Sequence, residues 1–163
     1  MKPDRLSDPV NLIASLFGTG FLPKAPGTWG TVYALALYLV LPSALFAGPA
    51  RWWFTGALLL FCLFSVWISS LAEKRLGHDA PQIVIDELCG FFVSVLWLPK
   101  GILLGLWAFI LFRAFDIAKP LVVGWAQKLP KGWGVVADDL AAGLIANLIL
   151  QGLTRLAPLF FSL

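Results

Sequence analysis

Trp52 to Leu71 is an unbroken run of 20 residues without an acid or a base. Wound as an α-helix rising 1.5 Å per residue, such a run is about 30 Å long, the thickness of a bilayer's hydrocarbon core. The rest of the chain has the same character. Hydrophobic residues make up 60% of its 163 positions and the mean hydropathy is +0.86, where soluble domains carry roughly 45–50% apolar residues. The expected solvent is lipid, and the length suits a single domain over residues 1–163.

Four further apolar stretches read as spans: Thr31 to Ala47, interrupted by Pro42; Ile83 to Leu98; Gly101 to about Ala118; and Val135 to Leu153. A proline within a membrane helix is tolerable where neighbours satisfy the freed carbonyl. Pro99 and Lys100 read as a tight turn, and Pro120 stops the fourth span because the residue before proline avoids helical backbone. Asn11 to Phe17 reads as a short interfacial helix, followed by a Gly- and Pro-rich loop from Gly18 to Gly30, and Lys128 to Gly134 reads as another loop. The expected fold class is all-α, an integral membrane bundle of about six helices, about five of them spans, with the last helix central. The first thirty residues lack the clean apolar run and small-residue cleavage site of a signal peptide, so no cleavable signal is expected. Cys62 and Cys89 lack metal-site spacing and read as small buried hydrophobes.

The basic residues give this bundle an orientation. Lys2, Arg5, Lys24, Lys74, Arg75, Arg113, Lys119, Lys128 and Lys131 fall on one side of five spans, leaving Arg51, Lys100 and Arg155 on the other. By the positive-inside rule the richer side is cytoplasmic. These cations are not gathered into blocks, and the net charge is only +3, so nothing resembles a nucleic-acid footprint.

Acids sit beside or inside these apolar stretches: Asp86 and Glu87, Asp116, and Asp138 and Asp139. A carboxylate in low dielectric must be paired or bound to a metal, and within membrane segments such residues mark function. The topology brings all five to the cytoplasmic face. Magnesium takes oxygen ligands from one or two carboxylates, waters and phosphates, so Asp86, Glu87, Asp138 and Asp139 are the candidate metal ligands and catalytic groups. Neighbours on a helix point about 100° apart, so one acid of each pair is expected to ligate directly while the other serves a water or a cation.

Arg113, Asp116 and Lys119 follow an i, i+3, i+6 spacing that lets Asp116 touch both cations, forming a candidate phosphate clamp. The loop before the first span, with Lys24 and the hydroxyl of Thr28, places glycines and N–H groups ahead of a helix start, a suitable anion site. Asp139, Gly143 and Asn147 share one helical face whose small residues, Ala142, Gly143 and Ala146, allow close helix approach. His78 is the sole histidine, so a phosphohistidine route lacks the second imidazole it would need.

In order, the chain carries G-x-G-x-x-P-x-A-P-G-T-x-G ending at Gly30, D-E-x-x-G from Asp86, F-R-x-x-D-x-x-K-P ending at Pro120, and G-x-G-x-x-x-D-D-x-x-A-G ending at Gly143. In these motifs, from about Asn11 to Gly152, it resembles the phosphatidylglycerophosphatase A family of bacterial membrane enzymes. Thr31 stands where the family usually has serine, which keeps the hydroxyl. The resemblance implies a helical bundle and magnesium-dependent hydrolysis of phosphatidylglycerophosphate to phosphatidylglycerol and phosphate, a step of phospholipid biosynthesis. It also implies a multi-pass protein of the bacterial inner membrane whose partners are the phospholipid substrate and membrane lipids. It leaves open attack by water or by one of the paired acids. Two other classes remain: a small cation channel or transporter, which would carry acids near mid-bilayer, and a non-catalytic packing protein, which would need no paired acids.

Overall fold

The structure, a computed structural model, describes residues 7–161, so Lys2 and Arg5 lie outside the described residues. Among those residues the chain is helical throughout: α1 (Pro9–Ala14), α2 (Pro26–Val40), α3 (Ala50–Leu76), α4 (Ile85–Ser94), α5 (Ile102–Ala118), α6 (Leu121–Ala126) and α7 (Gly132–Leu156), with three short 3-10 turns. Two of these, α3 with 27 residues and α7 with 25, are long and apolar enough to cross a membrane. α2, α4 and α5 have 15, 10 and 17 residues and fall short of that length.

Several boundaries differ from the expected ones for local reasons. α1 begins at Pro9, before the expected Asn11, because the Asp8 side chain accepts from the Val10 and Asn11 amides at 2.9 and 3.3 Å and proline occupies the first turn. It ends at Ala14, and Leu16 and Phe17 turn into left-handed backbone. α2 begins at Pro26 and takes in Gly27, Thr28 and Gly30, which were expected in a loop ahead of a span starting at Thr31. Its other end is Val40: Pro42 stops this helix instead of interrupting a longer one, and Ser43–Phe46 forms a 3-10 turn. α4 covers only part of the expected Ile83 to Leu98 span. α6 was not expected at all. α7 starts inside the stretch read as a loop, because Gly132 and Gly134 are close-contact positions: a side chain on Gly132 would meet the α3 backbone at Val66 and Ser70, and one on Gly134 would meet the carbonyls of Gln127 and Leu129.

The last helix was expected at the centre, and α7 does pack against α3, α4, α5 and α6. It shares that position with α4, which contacts α2, α3, α5 and α7 and has nine of its ten residues buried. The two cross where Gly90 and Gly143 face each other; a Cβ on Gly143 would strike the Gly90 backbone, and one on Gly90 would meet the Phe112 ring and the Asp139 carbonyl at 2.7 Å. Asn147 fastens the same pair lower down, donating to the carbonyls of Ser94 and Leu96 at 3.1 and 2.8 Å. Cys62 and Cys89 are both free and buried.

The bundle has two distinct ends. At one, Lys100 donates to the carbonyls of Leu39 and Leu41, Trp97 donates to the Thr55 hydroxyl at 3.0 Å, and Arg51 lies over the Trp52 and Trp97 rings. The finish of α2, the start of α3 and the turn between α4 and α5 therefore meet there. The starts of α2, α4 and α7 and the finish of α5 gather at the opposite end.

Candidate functional site

At that second end a cavity of about 240 Å³ is lined by residues from five segments. α2 contributes its start, with Ala25, Pro26 and Gly27; the loop after α3 contributes Asp79; α4 contributes Asp86 and Glu87; the end of α5 and the residue after it contribute Arg113, Asp116 and Lys119; and α7 contributes Asp138 and Asp139. The expected convergence of distant acids and bases is thus present in the fold. Oxygens of Asp86, Glu87 and Asp139 lie within 4.8 Å of one another, as do oxygens of Asp116, Asp138 and Asp139.

Each acid pair is held by the same local bond. Asp86 Oδ1 accepts from the Glu87 amide at 3.1 Å, and Asp138 Oδ1 accepts from the Asp139 amide at 3.1 Å. All four residues are buried. The cations are arranged around them differently from the expected clamp. Arg113 Nη1 contacts Asp116 Oδ2 at 2.5 Å and lies 3.7 Å from Glu87 Oε1. Lys119 contacts Asp138 Oδ2 at 2.9 Å, on α7, where the i, i+3, i+6 spacing had paired it with Asp116. The reason is local: α5 ends at Ala118, and Lys119 takes left-handed backbone (φ 44°, ψ 60°), which breaks the helical register and turns its side chain toward α7. Burial disfavours the charged amine of Lys119, yet the hydrogen bond and charge of Asp138 outweigh it and raise its pKa above the usual lysine value.

Among the described residues two buried carboxylate oxygens remain without a hydrogen-bond partner, Glu87 Oε2 and Asp139 Oδ2. Leaving such atoms dry and unpaired is costly. Six lining carboxylates also face only two lining cations. Hard oxygen donors in negative excess suit a divalent cation of the magnesium type, but the four expected acids do not form one set: Asp86 and Glu87 group with Asp139, and Asp138 groups with Asp116 and Asp139.

Lys24 and Thr28 are not among the lining residues; Lys24 is exposed, and the structure puts Gly27 where those two were expected to act. A Cβ on Gly27 would strike Glu87 Oε1 and approach Arg113 Nη1 at 3.1 Å, so only glycine lets the start of α2 come this close. That start presents the positive end of the helix dipole to the cavity. His78 is exposed and contacts Glu73 at 2.6 Å. Asp79, its neighbour, is the lining acid that sequence reasoning passed over. It is held by the Gln127 side chain, which donates at 2.8 Å, and its own amide donates to Glu73 Oε1 at 3.0 Å.

The sequence model of the family described as Phosphatidylglycerophosphatase A matches residues 12–154. Among curated proteins, one from Bacteroides thetaiotaomicron named "Putative phosphatidylinositol-3-phosphatase" is 37% identical over 150 residues, covering 85% of this chain and 89% of that protein. Proteins named Phosphatidylglycerophosphatase A from Haemophilus influenzae and Escherichia coli are 33% and 30% identical, covering 91% and 95% of this chain and 91% and 89% of their own lengths. No solved structure matches the chain.

Proposed function

The chain belongs to the phosphatidylglycerophosphatase A family, and from that membership we propose that it removes the terminal phosphate of phosphatidylglycerophosphate in a magnesium-dependent reaction of phospholipid biosynthesis. The observation that carries this reading is the buried meeting of carboxylates from α4 and α7, with Glu87 Oε2 and Asp139 Oδ2 lacking any partner, beside Arg113 and Lys119. Asp86, Glu87, Asp138 and Asp139 would hold magnesium, which when bound neutralises phosphate charge and lowers the pKa of water.

The chain's own groups do the rest. Arg113 is oriented by Asp116 and Glu87, so its planar fork is fixed before a phosphate arrives, and Lys119 adds a point charge tethered by Asp138. The start of α2 supplies its dipole next to Gly27. Burial of the acids limits bulk water around the reacting phosphate, which strengthens each of these electrostatic contacts. Lys24 and Thr28 lie at the approach to this end and serve an incoming headgroup better than a bound one.

The membrane arrangement follows the two ends of the bundle. Exposed apolar side chains on α2 (Val32, Leu39), α3 (Leu60, Leu63), α5 (Ile102, Ile110) and α7 (Leu144, Leu148) suit contact with acyl chains. In the proposed five-pass topology, α3 and α7 cross at full length, α2 and α5 cross with help from their flanks, and α4 is shielded among them. The cavity end carries Lys24, Lys74, Arg75, Arg113, Lys119, Lys128 and Lys131, and the far end Arg51, Lys100 and Arg155. This distribution favours the inner membrane with the site facing the cytoplasm.

The relative from Bacteroides thetaiotaomicron supports a second substrate reading, phosphatidylinositol 3-phosphate, which is also a lipid phosphomonoester. Phosphate release from phosphatidylglycerophosphate, phosphatidylinositol 3-phosphate, phosphatidic acid and a soluble phosphomonoester, each with magnesium, separates the readings. Fastest turnover of phosphatidylglycerophosphate is expected. Preference for the inositol lipid would move the assignment to the second reading, and release from none of the four would reject both.

A further inference from the structure

Asp139 belongs to both groups of converging carboxylates. It groups with Asp86 and Glu87 and also with Asp116 and Asp138, with one oxygen from each residue of a group within 4.8 Å of the others. It is 4% exposed, it lines the cavity, and its Oδ2 has no hydrogen-bond partner. A carboxylate has two oxygens, so one side chain can ligate into both groups at once.

Charge points the same way. The lining residues are Asp79, Asp86, Glu87, Asp116, Asp138 and Asp139 against Arg113 and Lys119, which leaves four negative charges without a counterpart when all are ionised. One divalent cation would cancel only half of that excess. Unbalanced charge at this depth is expensive.

We propose that the cavity holds two divalent cations bridged by the Asp139 carboxylate, with Asp86 and Glu87 completing one site and Asp116 and Asp138 the other. Asp116 is then a metal ligand as well as the partner of Arg113. The two sites are unequal. Arg113 and Lys119 already occupy Asp116 Oδ2 and Asp138 Oδ2, at 2.5 and 2.9 Å, so the second cation enters against two resident charges. The site of Asp86, Glu87 and Asp139 fills first and more tightly. Sharing one carboxylate sets the cations close together, in the range of about 3.5–4 Å usual for paired sites. The inference rests on the reading that the cavity binds divalent metal at all.

Manganese alone, titrated into purified full-length protein without lipid substrate, tests it by equilibrium binding and electron paramagnetic resonance. The wild type is expected to take up about two ions per chain in two phases, the second giving an exchange-coupled spectrum. Asp116→Asn is expected to keep the first phase and lose the second, leaving about one ion with an uncoupled signal. Saturation of the wild type at about one uncoupled ion would overturn the second site and leave the phosphatase reading standing. So would a full second phase in the variant. Failure of the wild type to bind manganese would remove the metal reading and this inference together. The wild-type stoichiometry decides the matter even if the variant fails to fold.

Discussion

Asp139 is the residue on which the site turns, because it is buried on α7 with one oxygen that has no partner among the described residues. Asp139→Asn is expected to lower phosphate release by at least about 100-fold, since disturbing even the outer partners of a metal ligand costs 10–100-fold. In metal-free protein the same change removes an unpaired buried carboxylate, so thermal unfolding should occur at the same or a higher temperature. Asp86→Asn should match the loss of activity, and near-normal turnover in either variant, checked by phosphate assay, would reject the assigned roles. Gly27→Ala is expected to reduce turnover about 10-fold or more while the protein stays folded, because the new methyl displaces Glu87 and Arg113. The acids could be read from sequence because a carboxylate within an apolar run is conspicuous. Asp79 could not, since an acid in an exposed polar loop looks solvated until Gln127 and Glu73 are seen to hold it at the cavity. The destination of Lys119 was hidden for a related reason: helical spacing assumes the helix continues, and here it has just ended.

Among the elements, the α4–α7 crossing positions the two acid pairs, and it depends on the absence of side chains at Gly90 and Gly143. Gly143→Ala should force the helices apart and destabilise the fold by about 1–3 kcal/mol, the usual range for overpacking, measured by denaturant unfolding in detergent. Unchanged stability would mean that the crossing is looser than the structure has it. The small-residue face of α7 was legible because Asp139, Gly143 and Asn147 repeat every fourth residue. Helix ends were less legible. Glycine and proline were read as loop markers near 27, 30, 132 and 134, but these glycines lie inside helices where a neighbouring backbone or side chain leaves no room for a Cβ. Length misled for α4: the apolar run from Ile83 to Leu98 contains a helix of only 10 residues because the run also supplies the turns on either side.

The bundle as a unit separates a cavity-bearing end from an end marked by Arg51, Trp52, Trp97 and Lys100. Under the proposed orientation, a His78→Cys protein should react with a membrane-impermeant maleimide only from the cytoplasmic side, and an Arg51→Cys protein only from the other. Labelling of both from one side would refute the crossing pattern without touching the chemistry. The order of the four motifs made the family legible across nearly the entire chain, and the family match over residues 12–154 agrees with it. The most direct trial of the gathered-carboxylate site is phosphate release from phosphatidylglycerophosphate by purified protein, before and after chelation of divalent ions and again after magnesium is restored. Loss of at least about 100-fold on chelation, with recovery on adding magnesium, is predicted; turnover that continues undiminished in the chelator would contradict it.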